Sequence, residues 1–161
     1  MFNEIKKISS LLLSVAFSSI GFIASITVTV LAAREVSSNP LFVGFPNAVG
    51  VGGAVIGTRM IYLISKSNSQ LNALAFTFLI GAFGGAIMFY SLIIDSFLLL
   101  LLGAFVLGIG QSATLQTRYA ASFVAGTKFK ATALSLAVWF SVFGSVFGPR
   151  MVGSYSNFFE N

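Results

Sequence analysis

Histidine and cysteine are absent from the 161-residue chain, and only four acids occur, Glu4, Glu35, Asp95 and Glu160. Without thiol or imidazole there is no disulfide, no thiolate nucleophile and no zinc-type metal site. The four carboxylates are too scattered to pair as acid and base, which leaves hydrolytic and metal-dependent enzymes poor candidates. Charge is scarce overall: 8% of residues are charged, against roughly 25% in a soluble domain. What fills the space is apolar, 57% of the chain, with a mean hydropathy of +0.96. This is the composition of a membrane protein.

A helix crosses the hydrocarbon core with about 20 apolar residues. Five such runs are expected, at about 8–33, 41–64, 71–94, 97–124 and 131–155, within one transmembrane domain covering 1–161. Short polar breaks separate them: Arg34 to Pro40, Ser65 to Gln70, a tight turn at Asp95-Ser96, and Gly126 to Lys130. The predicted class is all-α, a polytopic transmembrane helical bundle. Lysines set the orientation. A cytoplasmic N-terminus places Lys6, Lys7, Lys66, Lys128 and Lys130 inside, and the opposite topology would expose all five to the far side. A signal peptide fits poorly, because its apolar region is about 7–15 residues and this one is far longer. The basic charge is dispersed over three loops, so topology explains it better than nucleic acid does.

Lipid gives helices no hydrophobic reason to associate, so small and polar residues mark their contact faces. Gly53/Gly57, Gly81/Gly85 and Gly144/Gly148 are each four apart and are read as packing surfaces. The first run carries Ser14, Ser18, Gly21 and Ser25 on one stripe at helical spacing; the fourth carries Gln111, Thr114, Arg118 and Ser122. Two polar stripes on apolar helices point to a shared watery cavity, or to hydrogen bonds between helices without one. Gln111 and Arg118 tilt the reading toward the cavity, since large polar groups at membrane depth need a partner or water. Arg118 lies about 31 Å along its helix from Phe97, near the inner boundary, where snorkelling toward cytoplasmic water is the alternative. Arg59 on the second run sits at a similar depth. In the fifth run, Pro149 between Gly148 and Gly153 predicts a kink, static or hinged.

These features resemble the major facilitator superfamily. Gly144, Gly148, Pro149 and Gly153 match its span 5 motif G-x-x-x-G-P-x-x-G-G, with Val152 in place of the penultimate glycine. The segments Leu107-Gly108-Ile109-Gly110-Gln111 and Gln116-Thr117-Arg118-Tyr119-Ala120-Ala121 resemble a pattern from a bacterial subset of these transporters. The chain departs from the family where Ser65 replaces the aspartate of the 2–3 loop motif and Ala104 the span 4 arginine, so the usual gating charges and proton coupling do not carry over. The resemblance implies a secondary transporter of the bacterial plasma membrane, most like an exporter of small organic molecules, working by alternating access. It implies no cofactor. Because the family has about twelve spans in two six-span halves, it also implies a half lacking its sixth helix, which needs the missing second half or a second copy. Substrate contacts would fall on Ser14, Ser18, Ser25, Gln111, Thr114 and Arg118, and the Gly-Pro segment would flex. A small self-associating membrane protein with a scaffold role, and no transport, is the alternative.

Overall fold

The computed structural model describes residues 2–37, 40–67, 69–124 and, in short helical pieces, 130–132, 134–136, 138–139 and 141–142. Four long helices make up the continuous part: α1 (Phe2–Val36), α2 (Phe45–Ser67), α3 (Gln70–Ile93) and α4 (Phe97–Val124), with a 3-10 turn at Pro40–Phe42. No strand occurs among the described residues. Each long helix contains a stretch apolar enough to cross a bilayer: Phe17–Val36, Phe45–Ser67, Gln70–Ile93 and Phe97–Ala120. At about 1.5 Å per residue, 20 residues cover about 30 Å, the thickness of the hydrocarbon core.

Large apolar side chains remain uncovered all along these helices, among them Phe17 at 72%, Val55 at 68% and Phe83 at 69% exposure. In water such surface would drive aggregation; in a bilayer it is the face that lipid wets. The chain is therefore an all-α transmembrane helical bundle that passes the membrane several times. The short helical pieces fall in the expected fifth run, and the rest of that run lies outside the described residues.

Local chemistry explains where the helices stop. Pro40–Phe42 forms the 3-10 turn, and Pro46 stands in the first turn of α2, where a missing N–H costs nothing because no intrahelical acceptor exists for it. Phe42 braces this corner edge-on against Phe45 and Phe97, with ring centroids 6.5 and 6.1 Å away. Ser69 caps α3: its hydroxyl accepts from the Asn72 N–H at 3.3 Å. At the far end of α3, Asp95 takes φ 50°, a left-handed conformation that Asp tolerates better than most residues. The Ser96 N–H then donates to the Ser91 carbonyl at 3.1 Å, closing a Schellman-type end. The same Ser96 opens α4, its hydroxyl accepting from the Leu99 N–H at 3.4 Å. Two residues thus end one helix and start the next.

The chain divides into two compact units, one of Met1–Ala24 with Thr114–Asn161 and one of Ser25–Ala113. The Ser25–Ala113 unit is packed through glycine. On α2, Gly50, Gly53 and Gly57 sit against Ala104, Phe105, Ile109 and Ser112 of α4; a Cβ at Gly57 would lie 2.5 Å from the Ile109 carbonyl oxygen. On α3, Gly81 meets Gly110 and Gly84 meets Leu107, each hypothetical Cβ lying 2.7 Å from the opposing Cα. The α4 glycines answer in kind, Gly108 against the Gly50 backbone and Gly103 against Met88. The segment 103–112 of α4 therefore turns one small face to α2 and another to α3. Beside this seam Ala32, Ala33, Met88, Leu100 and Ala104 form a buried apolar cluster.

Candidate functional site

The polar stripes foreseen on the first and fourth runs lie on α1 and α4. Spacings of 3 and 4 residues turn by about 300° and 400°, so Gln111, Thr114 and Arg118 stay within a narrow arc of α4. Thr114 is buried at 4% exposure, and Gln111 and Arg118 are half-buried. On α1, Ser18 and Ser25 are half-buried, and the Ser25 carbonyl accepts from the Thr29 hydroxyl at 2.6 Å. The side chains of Ser14 and Ser122 lie outside the described ones, and Gly144, Gly148, Pro149 and Gly153 lie outside the described residues altogether. Ser18, Thr114 and Arg118 belong to the unit of 1–24 and 114–161; Ser25 and Gln111 belong to 25–113.

Two groups in the first of these units stand out by their lack of partners. The Nε of Arg118 is sealed from solvent and has no hydrogen-bond partner among the described residues. Ser19, at 1% exposure, has a hydroxyl in the same condition. Leaving a buried donor unmet costs about 1–3 kcal/mol, more when the group is charged. Ser19 is absent from the sequence-level stripe, which runs through Ser18; the signal for it was the Ser18-Ser19 pair, two hydroxyls on adjoining faces. Thr117, at 1% exposure, is a further buried hydroxyl one residue before Arg118.

The chemistry on offer is recognition, with hydroxyls, a carboxamide and a guanidinium. Among the described residues no three His, Cys, Asp or Glu gather to hold a metal.

Comparison with known proteins identifies the family. The chain is 31% identical over 146 residues to the uncharacterized MFS-type transporter YdeG of Bacillus subtilis (strain 168), covering 91% of this chain and 34% of the relative. It is likewise 31% identical over 156 residues to the uncharacterized MFS-type transporter YddS of the same organism, covering 97% of this chain and 36% of the relative. No family model matches the chain. No solved structure matches it either. The chain belongs to the major facilitator superfamily. It spans about a third of the length of the curated relatives it matches.

Proposed function

We propose that the chain forms the N-terminal portion of a secondary transporter that exports a small organic molecule from a bacterial cell by alternating access, with no enzymatic step. The likeness to MFS-type transporters along 91–97% of the chain carries this reading. The polar positions of α1 and α4, Ser14, Ser18, Ser25, Gln111, Thr114 and Arg118, serve the cargo, and the Gly144–Gly153 segment bends as the protein changes state. Domain rocking around a central site needs two halves. The relatives are about three times as long as the matched region, so the remaining spans, or a second copy of this chain, complete the cargo path.

Vesicle reconstitution tests this. At no more than one copy per vesicle the 161-residue chain shows no saturable flux of a dye substrate such as ethidium, and fusion to the remaining spans of a relative restores it. Saturable flux from single copies would refute the division of labour, and absence of flux in the fusion for every dye, sugar and nucleoside tried would refute transport.

The N-terminus is assigned to the cytoplasm by the five inner lysines. As the chain has no native cysteine, single cysteines at Ser67 and Gly126 should be labelled by a membrane-impermeant maleimide from the cytoplasmic side alone, and one at Ser38 from outside alone. Labelling of Ser38 and Ser67 from the same side would overturn the span arrangement.

A further inference from the structure

Arg59 sits at the centre of an exposed, otherwise apolar face of α2. Gly50, Gly53, Gly57 and Ile61 are buried on one side of that helix, the three glycines against α4. At about 100° per residue Arg59 is turned the other way. Its neighbours on the helix surface, three and four residues before and after it, are Val55, Ile56, Tyr62 and Leu63. They are exposed at 68%, 51%, 66% and 54%, and Arg59 is exposed with them.

Lipid can wet Val55 or Leu63, whereas a guanidinium at membrane depth needs a protein partner or water. Snorkelling is the usual escape, and it explains Lys66 in the last turn of α2. Arg59 is placed less well for it. With α2 starting at Phe45, it stands about 21 Å from that end and about 12 Å from Ser67. The Cα–Cβ bond of a helical residue tilts toward the N-terminus, so this side chain sets out away from the nearer end. No hydrogen bond or ion pair reaches Arg59 among the described residues. The complement of a guanidinium is a carboxylate, which takes two parallel N–H bonds. A second copy of this chain offers none at that depth: Glu35 and Asp95 lie at helix ends, and Glu4 and Glu160 fall outside the apolar runs. The relatives, about three times as long as the matched region, have room for further spans.

We infer that a transmembrane helix from the remaining part of the transporter covers this face of α2 and sets an Asp or Glu against Arg59. This rests on the reading of the chain as the N-terminal portion of a longer transporter, and it names the surface by which the two parts meet.

The test joins the chain to the remaining spans of a relative through a protease-cleavable linker after Asn161, in phosphatidylcholine nanodiscs, with Tyr62→benzoylphenylalanine as a photoreactive probe. After illumination and cleavage the two parts should stay joined, with the junction in a membrane-spanning segment. Capture of lipid alone assigns the face to the bilayer and overturns the inference, and capture of a second copy of the chain does the same. Modification of Arg59→Cys by a membrane-impermeant maleimide in the fusion would place water over the face and overturn it too. The charge is read separately. After cleavage without illumination, the affinity between the two parts should fall about tenfold in Arg59→Leu, the loss of one charged hydrogen bond, with Arg59→Lys in between. In the 161-residue chain alone, Arg59→Leu should leave the unfolding temperature unchanged or higher, because leucine suits a lipid face better than arginine. That separates lost pairing from lost folding; a lower temperature there would mean a partner within the chain and overturn the inference. Unchanged affinity in Arg59→Leu would overturn the carboxylate. Capture at Tyr62 in a fusion that moves nothing would sustain this inference while defeating transport, and saturable flux with Tyr62 uncaptured would do the reverse.

Discussion

Buried polar groups are met unevenly in the two units. Within residues 25–113, Thr29, Thr77, Ser91 and Ser112 each donate to a carbonyl of their own helix, at 2.6, 2.8, 2.6 and 2.7 Å. The exception there is the unpartnered Ser65 hydroxyl near the end of α2. Within residues 1–24 and 114–161, the Ser19 hydroxyl and the Arg118 Nε are sealed without a partner among the described residues, while Thr117, buried there too, is partnered. The first arrangement is what helices packed backbone to backbone require: in a glycine seam there is no room for a ligand or water, so each polar group must be met at home. The second leaves two sealed polar groups unmet among the described residues. The unit of 25–113 reads as the packed scaffold; four of the positions proposed above for cargo, Ser14, Ser18, Thr114 and Arg118, lie in the other.

The largest effect should come from breaking the scaffold. A Cβ at Gly108 would overlap the Gly50 backbone, lying 2.7 Å from the Gly50 carbonyl carbon, and a backbone cannot swing aside as a side-chain tip can. Gly108→Val should destabilise by about 1–3 kcal/mol or more through overpacking, seen as a lower unfolding temperature and loss of a monodisperse peak in detergent. Gly85 is the control on the neighbouring helix. Its hypothetical Cβ meets only the Leu107 Cδ1 at 3.7 Å, an ordinary contact. If Gly85→Ala damages the protein as much as Gly108→Val, the seam is not what holds these helices.

A smaller effect, opposite in sign, is expected at Ser19. Removing a buried hydroxyl that has no partner relieves its desolvation, so Ser19→Ala should stabilise by about 1 kcal/mol. The same operation in the other unit, Thr77→Val, removes a made bond to the Ala73 carbonyl and should destabilise by a similar amount. Chemical denaturation of the pair in one detergent checks both. Equal signs would erase the contrast between the units.

The turns and the general nature of the packing were legible in the sequence, and the partners were not. Asp95-Ser96 reads as a turn because two polar residues interrupt apolar runs, and the structure shows each doing a distinct task there. Gly53, Gly57 and Gly81 are packing residues, as their spacing implied. Yet the contact on α3 runs through Gly81 and Gly84 more closely than through Gly85, because α4 crosses on that side of the helix. Periodicity tells which residues share a face, and it is silent on which helix covers that face. The apolar run from Leu41 is likewise not all one helix: hydropathy cannot see the 3-10 turn that Pro40 opens, nor that α2 starts only at Phe45, with Pro46 in its first turn. Thr114 and Arg118 share the arc of α4 that their spacing implied. Ser19 escaped because it sits one residue off the period.

The smallest expected effect tests the recognition side of the contrast with the least chemical change. Gly21 lies on the polar stripe of α1, and a Cβ added there would find nothing within 4 Å; the same is true of Gly52 on α2. In both places Ala removes the conformational entropy that Gly loses on entering a helix, so each variant should gain up to about 1 kcal/mol. Stability alone therefore cannot tell the two apart, and function can. Gly52 belongs to the scaffold unit and is exposed, so Gly52→Ala should leave transport by the completed protein unchanged. Gly21 belongs to the unit of 1–24 and 114–161, with Ser19 and Arg118. If cargo passes over that stripe, one added methyl should shift the apparent KM for a tightly fitting cargo by a few fold while leaving expression and unfolding temperature at or above wild type. Identical KM values for the two alanine variants would remove the α1 stripe from the cargo path and leave α4, with Arg118, as its polar surface.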